Sequence, residues 1–229
     1  MNSNIKIHCL KDFDEISNAA FDIFSEVHQN TDNRFYIIPG GSTPKPFLNI
    51  LSKKIDDWSN TYFILSDERI VDDKQLSNES MVNEELVRRI DEDEKPILIN
   101  YNRTGNQAEV ENILKSQTPN LVILGLGTDG HTASLFPGNS GILNKKNNIC
   151  LKVKNSWEDY ERISLSFSYL MKSNQIIFMV SGEEKAEALR ECVEGNYEPI
   201  KFPAQVMFKN YTKNIFILCD KAAGKYIAL

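Results

Sequence analysis

The chain has 229 residues, of which 41% are apolar and 25% charged, and its net charge is −6. This composition is ordinary for a globular protein, and a chain of this length buries a sizeable core without disulfides or metals. No basic run stands out, which argues against nucleic acid as a partner. No stretch of about 18 apolar residues occurs, so a membrane span is not expected. We expect one domain covering residues 1–229, present as a monomer or a weak homo-oligomer.

The cysteines and the N-terminal segment bear on the compartment. Cys9, Cys150, Cys192 and Cys219 show neither CxxC nor any other metal-ligand spacing. The N-terminal segment lacks the apolar stretch of a signal peptide. We therefore expect reduced thiols, no bound metal and a cytoplasmic location.

Apolar runs alternate with helical patterns along the chain. Helical spacing predicts a first helix with one apolar face, formed by Phe13, Ile16, Ala20, Ile23 and Val27. Further helices are predicted at residues 78–91, 106–116 and 183–193. Strands are predicted at residues 34–38, 62–65, 96–100, 121–124, 176–180 and 215–218, and most are apolar throughout, as in strands covered on both faces.

This alternation predicts an α/β fold with a doubly wound, largely parallel sheet flanked by helices. Residues 162–167 alternate between polar and apolar instead, and we interpret them as an antiparallel edge strand with one polar face. In open α/β sheets, ligands bind beyond the carboxyl ends of the strands. The segments that follow predicted strands therefore carry the functional information.

The first such segment contains Gly40, Gly41, Ser42 and Thr43, after the strand at 34–38. The glycines let the backbone approach a ligand closely. The hydroxyls and the free N–H groups at the start of the following helix can receive an anion. A Gly-Gly turn followed by a Ser/Thr helix cap is the alternative interpretation.

The second segment is Ser66-Asp-Glu-Arg69, at the end of an apolar strand. Charged residues in that position are costly unless they face a polar cleft. Asp67 and Arg69 are therefore candidate substrate-binding residues, and Arg69 offers a fork of donors to phosphate or carboxylate oxygens. The alternative is an Asp/Arg ion pair that fixes a loop.

The third segment runs from Gly125 to Gly138 and is the densest motif. Asp129, Gly130 and His131 lie together in its glycine-rich loop. A carboxylate beside a histidine fixes the tautomer and supports the basicity that a general base requires. A surface histidine and a capping aspartate are the alternatives. His8 and His28 lie apart from these loops. The chain contains no HxxxH or HExxH pattern, so a zinc site is not predicted.

The fourth segment is Gly182-Glu-Glu-Lys185, where a strand ends and a helix begins. Glu183 and Glu184 suit the first turn of a helix, but a lysine there opposes the helix dipole. Lys185 is therefore a candidate phosphate ligand. The alternative is a lysine that extends into solvent.

Taken together, these segments resemble the glucosamine-6-phosphate isomerase/6-phosphogluconolactonase family, and within it the lactonases. The matching elements, in the family's order, are Gly40-Gly-Ser-Thr-Pro44, Ser66-Asp-Glu-Arg69, Ser77-Asn78, residues 125–138 and Gly182-Glu-Glu-Lys185. The element at 125–138 is highly specific, and the others are individually modest. The chain departs from the family at Asp72, where a proline is usual, and at Tyr160 and Glu161, where prolines usually precede the segment at 162–165.

The resemblance implies the fold of glucosamine-6-phosphate deaminase. It also implies hydrolysis of 6-phospho-D-glucono-1,5-lactone in the oxidative pentose phosphate pathway, without a metal or other cofactor. His131 would then act as general base on water, Asp129 would orient it, and Arg69 and Lys185 would anchor the phosphate. The remaining candidates for the substrate site are Gly40, Gly41, Ser42, Thr43, Asp67 and Gly130.

Two other functions are open to a chain of this kind. A sugar-phosphate deaminase needs further acid/base carboxylates, but Ser134-Leu-Phe-Pro stands where the deaminase pattern has Asn-Glu-Pro. A non-catalytic sugar-phosphate sensor would carry a basic helix-turn-helix region. The residues before the strand at 34–38 provide one amphipathic helix and acidic residues instead. We therefore expect the lactonase rather than either alternative.

Overall fold

The computed structural model of the chain describes residues 4–101, 107–144 and 148–228. Within these ranges it contains ten strands: Ile5–Leu10 (β1), Arg34–Ile38 (β2), Thr61–Leu65 (β3), Asp67–Arg69 (β4), Ile97–Ile99 (β5), Leu121–Gly125 (β6), Cys150–Val153 (β7), Arg162–Leu165 (β8), Gln175–Val180 (β9) and Asn214–Asp220 (β10).

The same ranges contain α-helices at Phe13–Gln29 (α1), Lys45–Lys54 (α2), Asn78–Glu85 (α3), Gln107–Lys115 (α4), Gly141–Asn144 (α5), Phe167–Leu170 (α6), Ala186–Val193 (α7) and Gln205–Asn210 (α8). Three short 3-10 turns lie at Val87–Arg89, Glu92–Glu94 and Glu183–Lys185. No helix in the described part of the chain is both long enough and apolar enough to cross a membrane.

Seven strands form the main sheet, in the order β1-β10-β9-β6-β2-β3-β5. Every pair in this sheet is parallel. After the edge strand β1, the chain builds outward from β2 through β3 to β5, and then from β6 through β9 to β10, so the strand order reverses between β2 and β6. The prediction of a doubly wound, largely parallel sheet is confirmed. The carboxyl ends of β2 and β6 mark the switch point at which such sheets bind ligands.

A smaller antiparallel sheet has the order β4-β8-β7. The prediction that residues 162–167 form an antiparallel strand is confirmed for Arg162–Leu165, but the predicted edge position is wrong. The strand β8 lies between two others, and all four of its residues are buried. Its polar side chains are satisfied inside the protein, since the Ser164 hydroxyl donates to the carbonyl of Leu165 at 3.1 Å.

The core forms between the main sheet and its helices. Helix α1 begins after Asp12, whose carboxylate accepts the backbone N–H of Glu15 at 3.1 Å as an N-cap. Two residues of its predicted apolar face, Ile16 and Ala20, are completely buried, and the other three are partly buried against the core. The central strands are buried on both faces, as their continuous apolar runs predict. This packing holds the strand ends that carry the polar loops.

Several boundaries differ from the predicted ones. The predicted helix at 78–91 ends at Glu85 and continues as a 3-10 turn, and the one at 183–193 starts with a 3-10 turn before α7. Residue 106, at the start of another predicted helix, lies outside the described residues, and α4 begins at Gln107. The strands β1, β4 and β7 were not predicted.

Candidate functional site

A polar cleft of about 250 Å³ lies beyond the carboxyl ends of β2, β3, β6 and β9. Loops from both halves of the doubly wound sheet line it, and the small antiparallel sheet contributes β4 and β8. The lining residues include Gly40, Gly41, Ser42, Thr43, Asp67, Arg69, His131, Arg162 and Lys185. The cleft therefore collects candidates from all four sequence segments at the switch point between β6 and β2.

His131 and Asp129 form a hydrogen-bonded pair in the loop after β6. The Asp129 carboxylate lies 2.5 Å from Nδ1 of His131 and also accepts the backbone N–H of His131 at 3.1 Å. Nε2 of His131 has no hydrogen-bond partner among the described residues. The imidazole packs against the ring of Phe136, with centroids 4.7 Å apart. A carboxylate and an aromatic ring thus fix the imidazole at the wall of the cleft.

The ionisation of Asp129 suits this arrangement. Burial by itself would raise the pKa of the Asp129 carboxyl, but its hydrogen bond to His131 and the adjacent imidazole charge outweigh that effect and hold the pKa below its ordinary value. The carboxylate is therefore an acceptor at neutral pH. In the tautomer with hydrogen on Nδ1, that nitrogen donates to the carboxylate and Nε2 keeps its lone pair.

Glycines give the loop its shape. A Cβ atom at Gly127 would lie 2.1 Å from Nδ1 of His131, so the imidazole occupies space that only glycine leaves open. The backbone of Gly127 also accepts the N–H of Gly130 at 3.0 Å and donates to the carbonyl of His131 at 2.8 Å. Gly130 has a φ of +78°. Its Cβ would meet the side chain of Phe202 at 2.8 Å, and its carbonyl accepts the N–H of Ala204 at 2.9 Å.

The loop after β2 brings backbone donors to the cleft. A Cβ at Gly40 would lie 2.0 Å from the side chain of Asn78, so the backbone passes directly over this residue. Gly41 has a φ of +82°, which favours glycine. Within the described ranges, the N–H groups of Gly41, Ser42 and Thr43 donate to no other group. Helix α2 begins two residues later, at Lys45, and its positive dipole end faces the same loop.

The Ser66–Arg69 segment divides between the cleft and the interior. Asp67 and Arg69 line the cleft, but Glu68 points away and is 1% exposed. Its carboxylate accepts the N–H groups of Asn78 and Glu79 at 2.9 and 2.7 Å, at the start of α3. Burial raises the pKa of Glu68, although these hydrogen bonds oppose that shift. The segment therefore holds the start of α3 through Glu68 and presents the charges of Asp67 and Arg69 to the cleft.

Arg69 and Asp67 have different surroundings. The Arg69 guanidinium donates through Nη1 to the carbonyl of Leu76 at 2.7 Å, while its Nε is buried without a partner in the described part of the chain. The Asp67 carboxylate accepts the hydroxyls of Ser66 and Ser134, at 3.0 and 2.5 Å. The described salt bridges do not include the alternative Asp67–Arg69 ion pair. The Asp67 carboxylate instead lies 3.6 Å from Nη1 of Arg162.

Arg162 is a cleft residue that the sequence argument did not single out. It starts β8 directly opposite Arg69 in the antiparallel register, so the two guanidinium groups share one face of the small sheet. Two positive charges on directly opposite strand positions repel one another unless a bound anion or nearby carboxylates offset the repulsion. The sequence feature that could have identified Arg162 is its position, since it is a charged residue at the start of a strand expected to have a polar face.

Lys185 reaches the cleft from the 3-10 turn after β9. Its ammonium donates to the carbonyl of Leu126 at 2.8 Å, which leaves two of its three N–H donors for a ligand. The turn is held from behind by Asp220, whose carboxylate accepts the Ser181 hydroxyl at 2.5 Å and the Gly182 N–H at 3.0 Å. The lysine therefore does not extend into bulk solvent.

Eight of the ten candidate residues line the cleft, and Asp129 contacts one of them, His131. Gly130 does not line it, and its backbone N–H and carbonyl are both engaged within the protein. Among the described residues, no group of three or more His, Cys, Asp or Glu side chains is arranged to hold a metal ion.

The sequence is similar to known proteins over most of its length. A family profile described as "Glucosamine-6-phosphate isomerases/6-phosphogluconolactonase" matches residues 14–216. A protein named 6-phosphogluconolactonase from Helicobacter pylori is 30% identical over 211 residues, covering 89% of this chain and 89% of that protein. A second protein of that name, from Thermotoga maritima, is 31% identical over 182 residues, covering 76% of this chain and 81% of the relative.

Solved structures resemble the fold over its full length. The 6-phosphogluconolactonase from Thermotoga maritima is 26% identical with a TM-score of 0.74, covering 95% of this chain and 100% of that chain. The enzyme from Trypanosoma brucei has a TM-score of 0.84 at 21% identity, covering 97% of this chain and 98% of its own. A monomeric glucosamine-6-phosphate deaminase, at 20% identity and a TM-score of 0.80, shares the fold, covering 97% of this chain and 100% of that chain. The chain belongs to the glucosamine-6-phosphate isomerase/6-phosphogluconolactonase family.

Proposed function

We propose that this protein hydrolyses the lactone ring of 6-phosphogluconolactone to give 6-phosphogluconate, a step of the oxidative pentose phosphate pathway. The names of the relatives that cover most of the chain support this substrate. The observation that carries the proposal is the Asp129–His131 pair, hydrogen-bonded at 2.5 Å and set in a cleft with three cationic side chains. A base and an anion site in one small cleft suit a phosphorylated electrophile.

His131 is the proposed general base. Because Asp129 accepts a hydrogen bond from Nδ1–H, the lone pair on Nε2 is available to take a proton from water. The water oxygen attacks the lactone carbonyl carbon and forms a tetrahedral intermediate. The bond from that carbon to the ring oxygen then breaks, and the ring oxygen takes the proton held by His131 to become a hydroxyl. General-base assistance of this kind is typically worth about 10²–10⁴ in rate.

The remaining cleft residues bind the substrate in this proposal. Lys185 and Arg69 anchor the phosphate, and Arg162 adds a third cation on the same wall as Arg69. The unpartnered N–H groups of residues 41–43 are suited to stabilise negative charge, either on the phosphate or on the carbonyl oxygen as it becomes an oxyanion. Asp67, which accepts two serine hydroxyls, binds a sugar hydroxyl group in this proposal.

The carboxylates of the cleft favour the lactonase over the deaminase. Ring opening followed by proton transfer between carbons calls for acid/base carboxylates at the reacting centre. Asp67 is the one carboxylate among the described residues that line the cleft, and it is held by Ser66, Ser134 and Arg162. Hydrolysis of an activated ester needs a base and an oxyanion site, which the proposed roles supply.

We also propose that residues 1–229 act as one domain. The pairing of β1 with β10 supports this, because it joins the two ends of the described chain within the main sheet. The family match over residues 14–216 supports the same reading.

Substrate choice provides the test. Wild-type protein is assayed with freshly generated 6-phosphogluconolactone and with unphosphorylated gluconolactone, following the acid released after subtraction of spontaneous hydrolysis. We expect a much higher kcat/KM for the phosphorylated lactone. No hydrolysis above background with either lactone would contradict the proposal, and equal rates with both would contradict the phosphate site.

A further inference from the structure

The loop before β8 contains an acidic clamp on Arg162. The two carboxylate oxygens of Glu158 accept from Nε and Nη2 of Arg162, at 2.9 and 2.5 Å. The same carboxylate accepts the Tyr160 hydroxyl at 2.7 Å and the Asn155 amide at 2.5 Å. The hydrogen bonds to Arg162 and its neighbours outweigh the effect of burial and lower the pKa of Glu158 to about 2, so the clamp is charged at neutral pH.

The clamp fixes which edge of the guanidinium faces the cleft. With Nε and Nη2 occupied by Glu158, Nη1 is the remaining donor nitrogen, and it lies 3.4 Å from the Ser134 hydroxyl and 3.6 Å from the Asp67 carboxylate. These two separations are too long for strong hydrogen bonds. Nη1 therefore stays available to a ligand in the cleft.

The guanidinium of Arg162 also contacts the aromatic residues around the catalytic histidine. It lies 5.6 Å from the ring centroids of both Phe136 and Tyr160. Phe136 in turn packs on His131, and the ring of the exposed Trp157 lies edge-to-face with that of Phe136, with centroids 5.5 Å apart. A shift of Arg162 would therefore disturb the wall against which the imidazole rests.

We propose that Glu158 is a positioning residue, which holds Arg162 so that its guanidinium presents Nη1 to the anionic group of the substrate. The inference rests on the proposed function, because it takes the ligand of the cleft to be a phosphorylated sugar acid or lactone. Glu158 itself does not line the cleft, and its action passes through Arg162.

Removing the charge of Glu158 should change anion binding in opposite directions, depending on whether Glu158 acts through net charge or through the position of Arg162. If only net charge matters, neutralising an acid beside the cleft makes the cleft more cationic and strengthens anion binding. If Glu158 positions Arg162, its removal leaves Asp67 as the nearby carboxylate, already 3.6 Å away and able to draw the guanidinium into a direct ion pair. Arg162 is then withdrawn from the ligand, and binding weakens.

The test is the dissociation constant of 6-phosphogluconate, measured by calorimetry on the full chain. The Glu158→Gln variant keeps the size of the side chain and removes its charge. Glu161→Gln is the matched control, since it removes the same charge from an exposed side chain in the same loop. Arg162→Lys and the double variant Glu158→Gln/Arg162→Lys complete a cycle that reports whether the two residues act together.

For Glu158→Gln we expect the dissociation constant to rise about tenfold, the equivalent of losing one charge-assisted hydrogen bond to the ligand. Glu161→Gln should leave it within about twofold, and Glu158→Gln should have little further effect once Arg162 is lysine. Melting temperatures should stay close to that of the wild type. Unchanged or tighter binding by Glu158→Gln, or an equal loss in the Arg162→Lys background, would overturn the positioning role.

The same measurement separates this inference from the proposed function. If the wild type binds 6-phosphogluconate and only the Glu158 result fails, the positioning role is wrong and the proposed function stands. If the wild type does not bind 6-phosphogluconate, the positioning role is overturned, and the acid-release assay decides the proposed function separately.

Discussion

Replacing Gly127 by alanine tests how closely catalysis depends on the geometry of the loop after β6. The added Cβ would lie 2.1 Å from Nδ1 and 2.3 Å from Cε1 of His131, and 2.7 Å from Oδ1 of Asp129. An ordinary contact begins at 3.4 Å, so the imidazole must move by about 1.3 Å or the loop must deform. Such a shift breaks the 2.5 Å hydrogen bond that orients the histidine.

Misplacement of a catalytic group by about 1 Å typically costs about 10² in rate. We therefore expect Gly127→Ala to lower kcat/KM for 6-phosphogluconolactone about 100-fold in the acid-release assay. The φ of Gly127 is not in the left-handed region, so alanine is compatible with the backbone and the fold should persist. Gly141→Ala, made outside the cleft, serves as the control. A folded Gly127→Ala protein that retains a third or more of wild-type kcat/KM would refute the reasoning.

Three further variants test other parts of the site and the core. Asp129→Asn should lower kcat about 10²–10⁴-fold in the acid-release assay, because the amide no longer enforces the Nδ1–H tautomer of His131; retention of full activity would argue against that role. Lys185→Ala should raise KM for the phosphorylated lactone and reduce the preference over gluconolactone, and an unchanged preference would remove Lys185 from the phosphate site. Burial lowers the pKa of His28 below its ordinary value of 6.5. The free energy of unfolding, measured with urea, should therefore keep this contribution above pH 6.5 and lose it as the pH falls through the lowered pKa of the folded state. His28→Gln should flatten this dependence, and an equally steep loss in that variant would contradict the assignment.

The elements that sequence reasoning recovers are those with strong local patterns. The apolar runs of β2, β6 and β9 are buried, and the apolar face of α1 packs against the core, as their spacing predicts. The missed strands lack such patterns. The edge strand β1 carries exposed Lys6 and His8 among its apolar residues, and β4 consists of Asp67, Glu68 and Arg69, which have little preference for strands. These strands form because pairing with neighbours distant in sequence satisfies their backbone groups.

The candidate site shows the same division. Motifs next to strand ends identified His131, Arg69 and Lys185, because the topology of a parallel sheet brings its carboxyl ends together. Arg162 and its partner Glu158 were missed, since Arg162 reaches the cleft from the second, antiparallel sheet, whose pairing with β4 depends on tertiary structure. Glu68 could not be separated from its neighbours by sequence, because its direction follows from the start of α3 in space.

His131 is the proposed general base for lactone hydrolysis by this protein. The most direct measurement is kcat/KM of His131→Asn for freshly generated 6-phosphogluconolactone, with His8→Asn on the exposed edge strand as the matched control. We predict that His131→Asn loses at least about 10² of the wild-type value, while His8→Asn and the melting temperatures of both variants remain near wild type. A folded His131→Asn protein with wild-type turnover would contradict the account.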